Sequence, residues 1–194
     1  MPLLESNISG LYLWQNTETV EELLQLFPET PALFDELASD KRKREFLVTR
    51  YLLQVFAIAE TLTYNQDGKP ILESGKGISI SNDSVISGIY LHDAPCGLDI
   101  QTKQEKLFRI APKMCNAFEQ ERYTDLDSLC LIWCAKEAVF KYYGTQVPFA
   151  DSMTVTEINS VNQRISIQYE GVHGSKHFSL RYLRFQDTFV VFTI

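Results

Sequence analysis

The sequence has few of the residues and segments that mark secreted, membrane-spanning or zinc-binding proteins. Its 194 residues include only four cysteines and three histidines, and neither set has the spacing of metal ligands. Cys130 and Cys134 lie four residues apart in an apolar stretch, which is typical of buried thiols in a reducing compartment. The N-terminus has no basic segment followed by an apolar run, and no apolar stretch is long enough to span a bilayer. We therefore predict a cytoplasmic protein without a membrane segment.

A surplus of positive charge is also absent. The formal net charge is −7, which argues against general nucleic-acid binding because that function requires a basic surface. The same charge gives no overall attraction to an acidic protein, so such a partner would have to contact local basic or apolar patches. With 45% hydrophobic and 22% charged residues, the chain has ordinary globular proportions and enough length for one domain or two small fused halves.

Two short stretches each offer one carboxylate in an otherwise apolar setting. Residues 97–101 alternate apolar and polar side chains, which predicts a strand with Asp99 on its polar face. Residues 133–141 carry apolar residues at helical spacing, which predicts a helix with Glu137 on one edge. If the strand and the helix meet, the two carboxylates form a site for Mg²⁺, which usually takes one or two carboxylates and fills its other positions with waters and substrate phosphates.

The same helix carries two lysines. The helical pattern predicts that Lys136, Glu137 and Lys141 lie on one edge, so the lysines would flank the cation. A simpler interpretation is that Glu137 and Lys141, four residues apart, form a surface ion pair that contributes about 0.3–0.5 kcal/mol. Taken alone, the helix favours this simpler interpretation.

The two stretches, in this order, resemble the signature of the 4'-phosphopantetheinyl transferases, whose motifs are written G-[IV]-D-[IV]-E and W-x-x-K-E-A-x-x-K. Residues 133–141 match the second motif at every fixed position. The family's basic helix, its lysine turn and the first half of its I-S-x-S-H-S strand also have counterparts, at residues 41–53, 68–70 and 78–81. Because all these elements occur together, we prefer the family interpretation to a plain surface ion pair between Glu137 and Lys141.

This resemblance implies an α+β fold made of two similar halves, each a small, mostly antiparallel sheet packed with helices. The predicted order of elements agrees, because a second series of strand, helices and strands begins near residue 96. We place the halves at residues 1–94 and 95–194 and expect them to pack as one unit with the site between them. We also expect a monomer, since the cleft that single-half relatives make between subunits would lie within this chain.

The resemblance also implies a reaction. A serine hydroxyl of an acyl or peptidyl carrier protein would attack the β-phosphorus of coenzyme A, accept the 4'-phosphopantetheine arm and release 3',5'-ADP. Asp99 and Glu137 would hold Mg²⁺, Lys141 or Lys136 would take up charge on the leaving side, and Glu137 would accept the serine proton.

Contacts to coenzyme A are implied for residues of both halves. Arg50 is the best single candidate for the 3'-phosphate, because it lies among apolar neighbours where an unpaired arginine would be expensive. The other residues that the resemblance assigns to coenzyme A are Lys41, Arg44, Lys69, Ser81, Asn82 and Lys136.

Three positions depart from the family pattern. Asn82 and Asp83 stand where the family has histidine and serine, and Gln101 stands where it more often has glutamate. Asp83 would repel a phosphate charge at about 4 Å by around 4 kcal/mol if it pointed into the site, and would be harmless if it capped a turn. Gln101 could still ligate a hard cation, with one unit less formal charge.

These departures leave an alternative open, in which the chain is a non-catalytic relative that binds coenzyme A, a nucleotide or a carrier protein without transfer. We prefer the enzyme, because both proposed metal ligands and the proposed base are present.

Overall fold

The computed structural model describes residues 3–4, 6–26, 34–56, 60–144 and 147–194, and these residues form an α+β fold, as predicted. The strands are β1 (Leu3–Leu4), β2 (Leu11–Gln15), β3 (Leu62–Tyr64), β4 (Pro70–Leu72), β5 (Gly77–Asn82), β6 (Ile86–His92), β7 (Leu98–Thr102), β8 (Met153–Asn159), β9 (Arg164–Gly171), β10 (Gly174–Phe185) and β11 (Thr188–Thr193). The helices are α1 (Val20–Leu26), α2 (Asp40–Val55), α3 (Lys106–Met114), α4 (Ala117–Arg122), α5 (Leu126–Tyr143) and α6 (Phe149–Ser152). None of the described helices is long and apolar enough to cross a membrane.

The strands form two antiparallel sheets and a separate hairpin. The first sheet has the order β1-β2-β6-β5, the second has the order β7-β11-β10-β9-β8, and β3 pairs with β4. The predicted mostly antiparallel architecture is therefore confirmed. The two sheets differ in strand number and order, so the internal duplication and the division at residue 94 stay predictions.

The two sheets meet where β5 lies beside β7, along a line that we call the seam. Here side-chain oxygens take the place of the main-chain carbonyls of an ordinary ladder. Ser79 Oγ accepts the main-chain N–H of Leu98 at 2.9 Å, and Ser81 Oγ accepts that of Ile100 at 3.0 Å. Residue numbers rise together along both strands, so β5 and β7 run in the same direction. The other edge of β7 pairs with β11 by main-chain bonds.

A shared apolar core holds the sheets together beneath the seam. It combines side chains of the first sheet, such as Leu13 and Ile86, with side chains of the second, such as Leu98 and Phe192. All of these are nearly inaccessible to solvent. Two further clusters lie under α2 in the first half and under α5 in the second. The two sheets therefore share one apolar core.

Helix α5 begins and ends at the residues that its sequence favours. Asp125 caps its start by accepting the N–H of Ser128 at 2.9 Å, and Gly144 ends it with a left-handed φ of 73°. The helix predicted over residues 133–141 lies within α5 and is confirmed. The helix packs closely on β7, because a Cβ at Gly97 would collide with the carbonyl oxygen of Ala138.

Helix α2 carries a run of four basic residues, at positions 41–44. Ser39 caps it by accepting the N–H of Arg42 at 3.3 Å, and its buried face packs on the first sheet through residues that include Leu47 and Leu52. The sequence predicts the basic helix at residues 41–53, and α2 contains this range and ends at Val55.

One ion pair is completely buried, and it fixes the rotation of α5. Lys136 Nζ donates to Glu119 Oε2 at 2.7 Å, to the carbonyl of Met114 at 2.7 Å and to that of Phe149 at 3.2 Å. Glu119 also accepts the N–H of Val155. Both side chains are 0% exposed, and burial lowers the pKa of Lys136 although Glu119 acts in the opposite direction. These bonds hold α5 against α3, α4, α6 and β8.

We expect Lys136→Met to lower the free energy of unfolding by about 3–5 kcal/mol, because it leaves the Glu119 carboxylate buried without its cation. The control is Lys41→Met: this lysine side chain is 73% exposed beside Glu45, and its loss should cost less than about 1 kcal/mol. Urea unfolding followed by circular dichroism measures both changes. A Lys136→Met protein as stable as the wild type would contradict the structural importance of the pair.

Candidate active site

Asp99 is the centre of the site. Strand alternation directs its neighbours Leu98 and Ile100 into the shared core, so Asp99 faces α5 from the opposite side of β7. The carboxylate is nearly buried, at 7% exposure. Its Oδ1 accepts hydrogen bonds from Lys141 Nζ at 2.8 Å and from Ser81 Oγ at 3.0 Å. The predicted meeting of strand and helix is therefore present.

Ser81 connects this carboxylate to the seam. Its hydroxyl accepts the N–H of Ile100 at 3.0 Å and the ammonium of Lys141 at 2.9 Å, and it donates its own proton to Asp99. The hydroxyl is thus fully engaged. Because one oxygen joins β5, β7 and α5, the position of Asp99 depends on how the two sheets meet.

Glu137 lies one turn before Lys141 and lines the same cavity as Asp99. The pKa of Glu137 is raised to about 7, mainly by burial and also by the charge of Asp99, while the charge of Lys141 opposes the shift. Two carboxylates are thus held where their charges disfavour each other. A cation between them would relieve this repulsion.

The cavity that contains these groups, which we call the central cavity, has a volume of about 440 Å³. Residues of α2, β5, β7 and α5 line it. It brings together seven of the predicted site residues: Lys41, Ser81, Asn82, Asp99, Gln101, Glu137 and Lys141. Gln101 lies on the same strand face as Asp99, and its amide nitrogen donates to the carbonyl of Thr102 at 2.8 Å.

Two further cavities adjoin the central one and share Ile80 with it. The arginine cavity, about 370 Å³, is bounded by Arg42, Arg50 and Tyr64. Arg50 stacks on the ring of Phe46, 3.3 Å from the ring centroid, and burial lowers its pKa. No described carboxylate pairs with Arg50, so a phosphate would supply the anion that this half-buried guanidinium lacks.

The lysine cavity, about 500 Å³, lies on the other side and contains Lys69, Phe140 and Lys141. Lys69 Nζ donates to the carbonyl of Tyr142 at 2.7 Å, at the C-terminal end of α5. A cation is favourable there because that end of a helix is electronegative. Burial lowers the pKa of Lys69. Lys69 therefore contacts both the lysine cavity and the helix that carries Glu137.

Two predicted contact residues do not reach these cavities. Lys136 lies on the opposite side of α5 from Glu137 and Lys141, enclosed with Glu119, because adjacent helical residues are about 100° apart. The expected common edge for Lys136, Glu137 and Lys141 was therefore wrong. Arg44 lies outside the linings of the three cavities, and its buried Nε has no hydrogen-bond partner among the described residues.

The departures at the end of β5 are accommodated differently from each other. Asn82 lines both the central and the arginine cavities, and its buried Oδ1 has no partner within the described stretches of the chain. Asp83 borders the central cavity, but its Oδ1 accepts the N–H of Val85 at 3.1 Å and so caps the turn that follows β5.

Sequence reasoning missed Arg42 as an individual contact residue. It lines both the central and the arginine cavities, and its guanidinium pairs with Glu45 at 3.1 Å. The spacing of the two arginines could have identified Arg42. Arg42 and Arg50 are eight residues apart, about two helical turns, and therefore face the same side of α2.

The residues present fit a magnesium ion. Among the described residues, no group of three or more histidine, cysteine, aspartate and glutamate side chains is arranged to hold a metal. Magnesium does not require such a group, because one or two carboxylates suffice when waters and phosphate oxygens complete its coordination. Asp99 and Glu137 line one cavity, and the charge of Asp99 disfavours ionisation of Glu137, so the two carboxylates provide this smaller set.

A model of the 4'-phosphopantetheinyl transferase superfamily matches residues 95–193, which is just over half of the chain. The chain belongs to this superfamily. The matched segment includes Asp99, Glu137 and Lys141, and the match supports phosphopantetheinyl transfer as the general function of this transferase. A comparison with curated proteins found no match.

We expect Ser81→Ala and Ser79→Ala to differ in their effect on this transferase. Each removes the acceptor of one buried N–H along the seam and should cost about 1–3 kcal/mol of unfolding free energy. Only Ser81→Ala also removes a partner of Asp99 and Lys141, so only this variant should weaken coenzyme A binding, by several-fold. Calorimetry of coenzyme A binding checks the second expectation. Identical affinities for the two variants would show that Ser81 does not organise the site.

Proposed function

We propose that this chain transfers the 4'-phosphopantetheine arm of coenzyme A to a serine hydroxyl of an acyl or peptidyl carrier protein, with Mg²⁺, releasing 3',5'-ADP. The observation that carries the proposal is the convergence of Asp99, Glu137 and Lys141 on one cavity that continues into the arginine cavity. This arrangement offers two carboxylates for a cation and for a proton, and one ammonium group for a developing negative charge.

Coenzyme A would bind across the seam. In our proposal Arg50 and Arg42 contact its 3'-phosphate in the arginine cavity, since guanidinium groups suit phosphate and Arg50 has no described anionic partner. Lys41 would contribute to the phosphate contacts from the exposed start of α2, and Asn82 could donate a hydrogen bond between the two cavities.

Asp99 and Glu137 would hold Mg²⁺, which when bound would neutralise charge on the pyrophosphate and increase the electrophilicity of its phosphorus. Gln101 could add an amide oxygen from the same strand face. Ser81 and Lys141 orient Asp99 for this task, because both donate to its Oδ1.

In the transfer step, the carrier serine oxygen forms a bond to the β-phosphorus while the bond from that phosphorus to the bridging oxygen breaks. The electron pair leaves on the bridging oxygen, which becomes an oxygen of the 5'-phosphate of 3',5'-ADP. Glu137 would accept the serine proton, and Lys141 would stabilise the charge on the leaving phosphate. Holding the two reactants in this cleft would supply much of the remaining acceleration.

A non-catalytic relative that only binds coenzyme A is the second candidate, favoured by Asn82 in the place of a histidine. The enzyme is better supported, because the Asp83 carboxylate caps a turn and is engaged by neutral donors. Intact-mass spectrometry of carrier proteins incubated with this chain, coenzyme A and Mg²⁺ separates the two. A gain of one phosphopantetheine arm supports transfer, whereas binding without a gain supports the second candidate. The monomeric state and the cytoplasmic location stay predictions.

We predict that Glu137→Gln and Asp99→Asn each reduce transfer by at least about a hundredfold, because one removes the proton acceptor and both weaken cation binding. Initial rates of carrier modification measure the loss, and thermal melts should show folded proteins. Glu121→Gln, an exposed acid on α4, is the control and should retain the wild-type rate. A Glu137→Gln protein that transfers at the wild-type rate would refute the proposed mechanism.

We predict that Arg50→Ala raises KM for coenzyme A about tenfold to a hundredfold, since a hydrogen bond between charged groups is worth about 1.5–3 kcal/mol. Arg44→Ala should leave KM unchanged, because Arg44 lies outside the three cavities. Steady-state kinetics with varied coenzyme A compares the two. The reverse pattern would place the 3'-phosphate elsewhere on α2.

A further inference from the structure

Asp83 supplies the third acceptor of the seam. It follows the last residue of β5, and its Oδ2 accepts the main-chain N–H of Thr102 at 3.3 Å. Its Oδ1 accepts the Thr102 hydroxyl at 2.6 Å, a short bond of the kind expected with an ionised acceptor. Ser81 and Ser79 are the corresponding acceptors earlier in the strand. Alternate residues of one strand thus hold alternate N–H groups of the next.

The connection continues into the second sheet. Thr102 Oγ1 lies 2.8 Å from Thr188 Oγ1, and the two residues pair in the register of β7 with β11. Because Thr102 gives its hydroxyl proton to the Asp83 carboxylate, Thr188 is the donor in this second bond. The end of β7, which carries Asp99 and Gln101, is therefore held from both sheets.

The negative charge of Asp83 is stabilised by hydrogen bonds from neutral donors. Its Oδ1 also accepts the N–H of Val85 and the hydroxyl of Ser84, each at 3.1 Å. Among the described residues, no lysine or arginine forms an ion pair with it. This differs from Asp99, whose charge is paired with Lys141.

We propose that Asp83 is a positioning residue for the transfer reaction. By binding the amide and the hydroxyl of Thr102, it holds the end of β7 so that Asp99 and Gln101 keep their places in the central cavity. This inference rests on the proposed function. It also gives the aspartate a reason to stand where the resembling family has serine, because a carboxylate can accept the two Thr102 bonds and the two turn bonds together.

The kinetic test compares Asp83→Ala with Asp83→Ser. Asp83→Ala removes both acceptors of Thr102 and should lower kcat about tenfold. KM for coenzyme A should change less than about twofold, because Asp83 is assigned no contact with that substrate. The serine variant, which restores one acceptor of the kind that Ser79 and Ser81 provide, should recover most of kcat. If instead both variants lowered KM with kcat unchanged, Asp83 would act by repelling the phosphates, and the proposal would be overturned.

A second readout does not depend on activity. Amide hydrogen exchange measured by NMR should be faster at Thr102 in Asp83→Ala and close to wild type in Asp83→Ser. Thr102→Val should lower kcat less in Asp83→Ala than in the wild type, because the bond from Thr102 to Asp83 is then already lost and only the bond to Thr188 remains to be broken. Additive losses would overturn the link from Asp83 to Thr102.

Ser84→Ala is the matched control, because it removes a turn bond to Asp83 and leaves the Thr102 bonds in place. It should keep wild-type kcat and Thr102 exchange. A wild-type protein that transfers nothing would mean that the proposed function fails, and the positioning role would fail with it. An active wild type with an equally active Asp83→Ala variant would overturn this inference alone.

Discussion

The arrangement of the site depends on a row of side-chain oxygens that joins two neighbouring strands running in the same direction. In an ordinary sheet, main-chain carbonyls would accept the N–H groups of β7 on this edge, and a carbonyl has no proton to donate to a carboxylate. Here a hydroxyl accepts, and it can still donate. Ser81 does both, so the contact that joins the sheets also orients Asp99. Fold and site share one hydrogen-bond network.

Much of the site could be predicted from the sequence, because local periodicity determines which side of an element a residue faces. The alternation around Asp99 and the helical spacing through Glu137 and Lys141 are local properties, and both predicted the correct face. The basic helix and the serine-containing strand were likewise found at their predicted places. Resemblance added what periodicity lacks, namely that these separate elements approach one another.

The rest could not be predicted because it depends on contacts between residues distant in the chain. Nothing near Lys136 shows that Glu119 lies opposite it, so a lysine next to Glu137 was assigned to the cleft when it stabilises the core instead. Asp83 posed the same difficulty. Its charge suggested conflict with a phosphate, and only Thr102, nineteen residues later, gives the carboxylate a different role.

The amine of Lys69 on the last turn of α5 bears on whether the chain can be divided. The segment that the superfamily model matches begins at residue 95, yet its long helix is capped by a residue from outside that segment. Its first strand also relies on acceptors from β5, and its inner face is covered by side chains of the first sheet. Cutting the chain there would expose apolar surface and leave N–H groups of β7 without their acceptors. We therefore expect the matched segment, cut from the rest of the chain, to lose much of its stability.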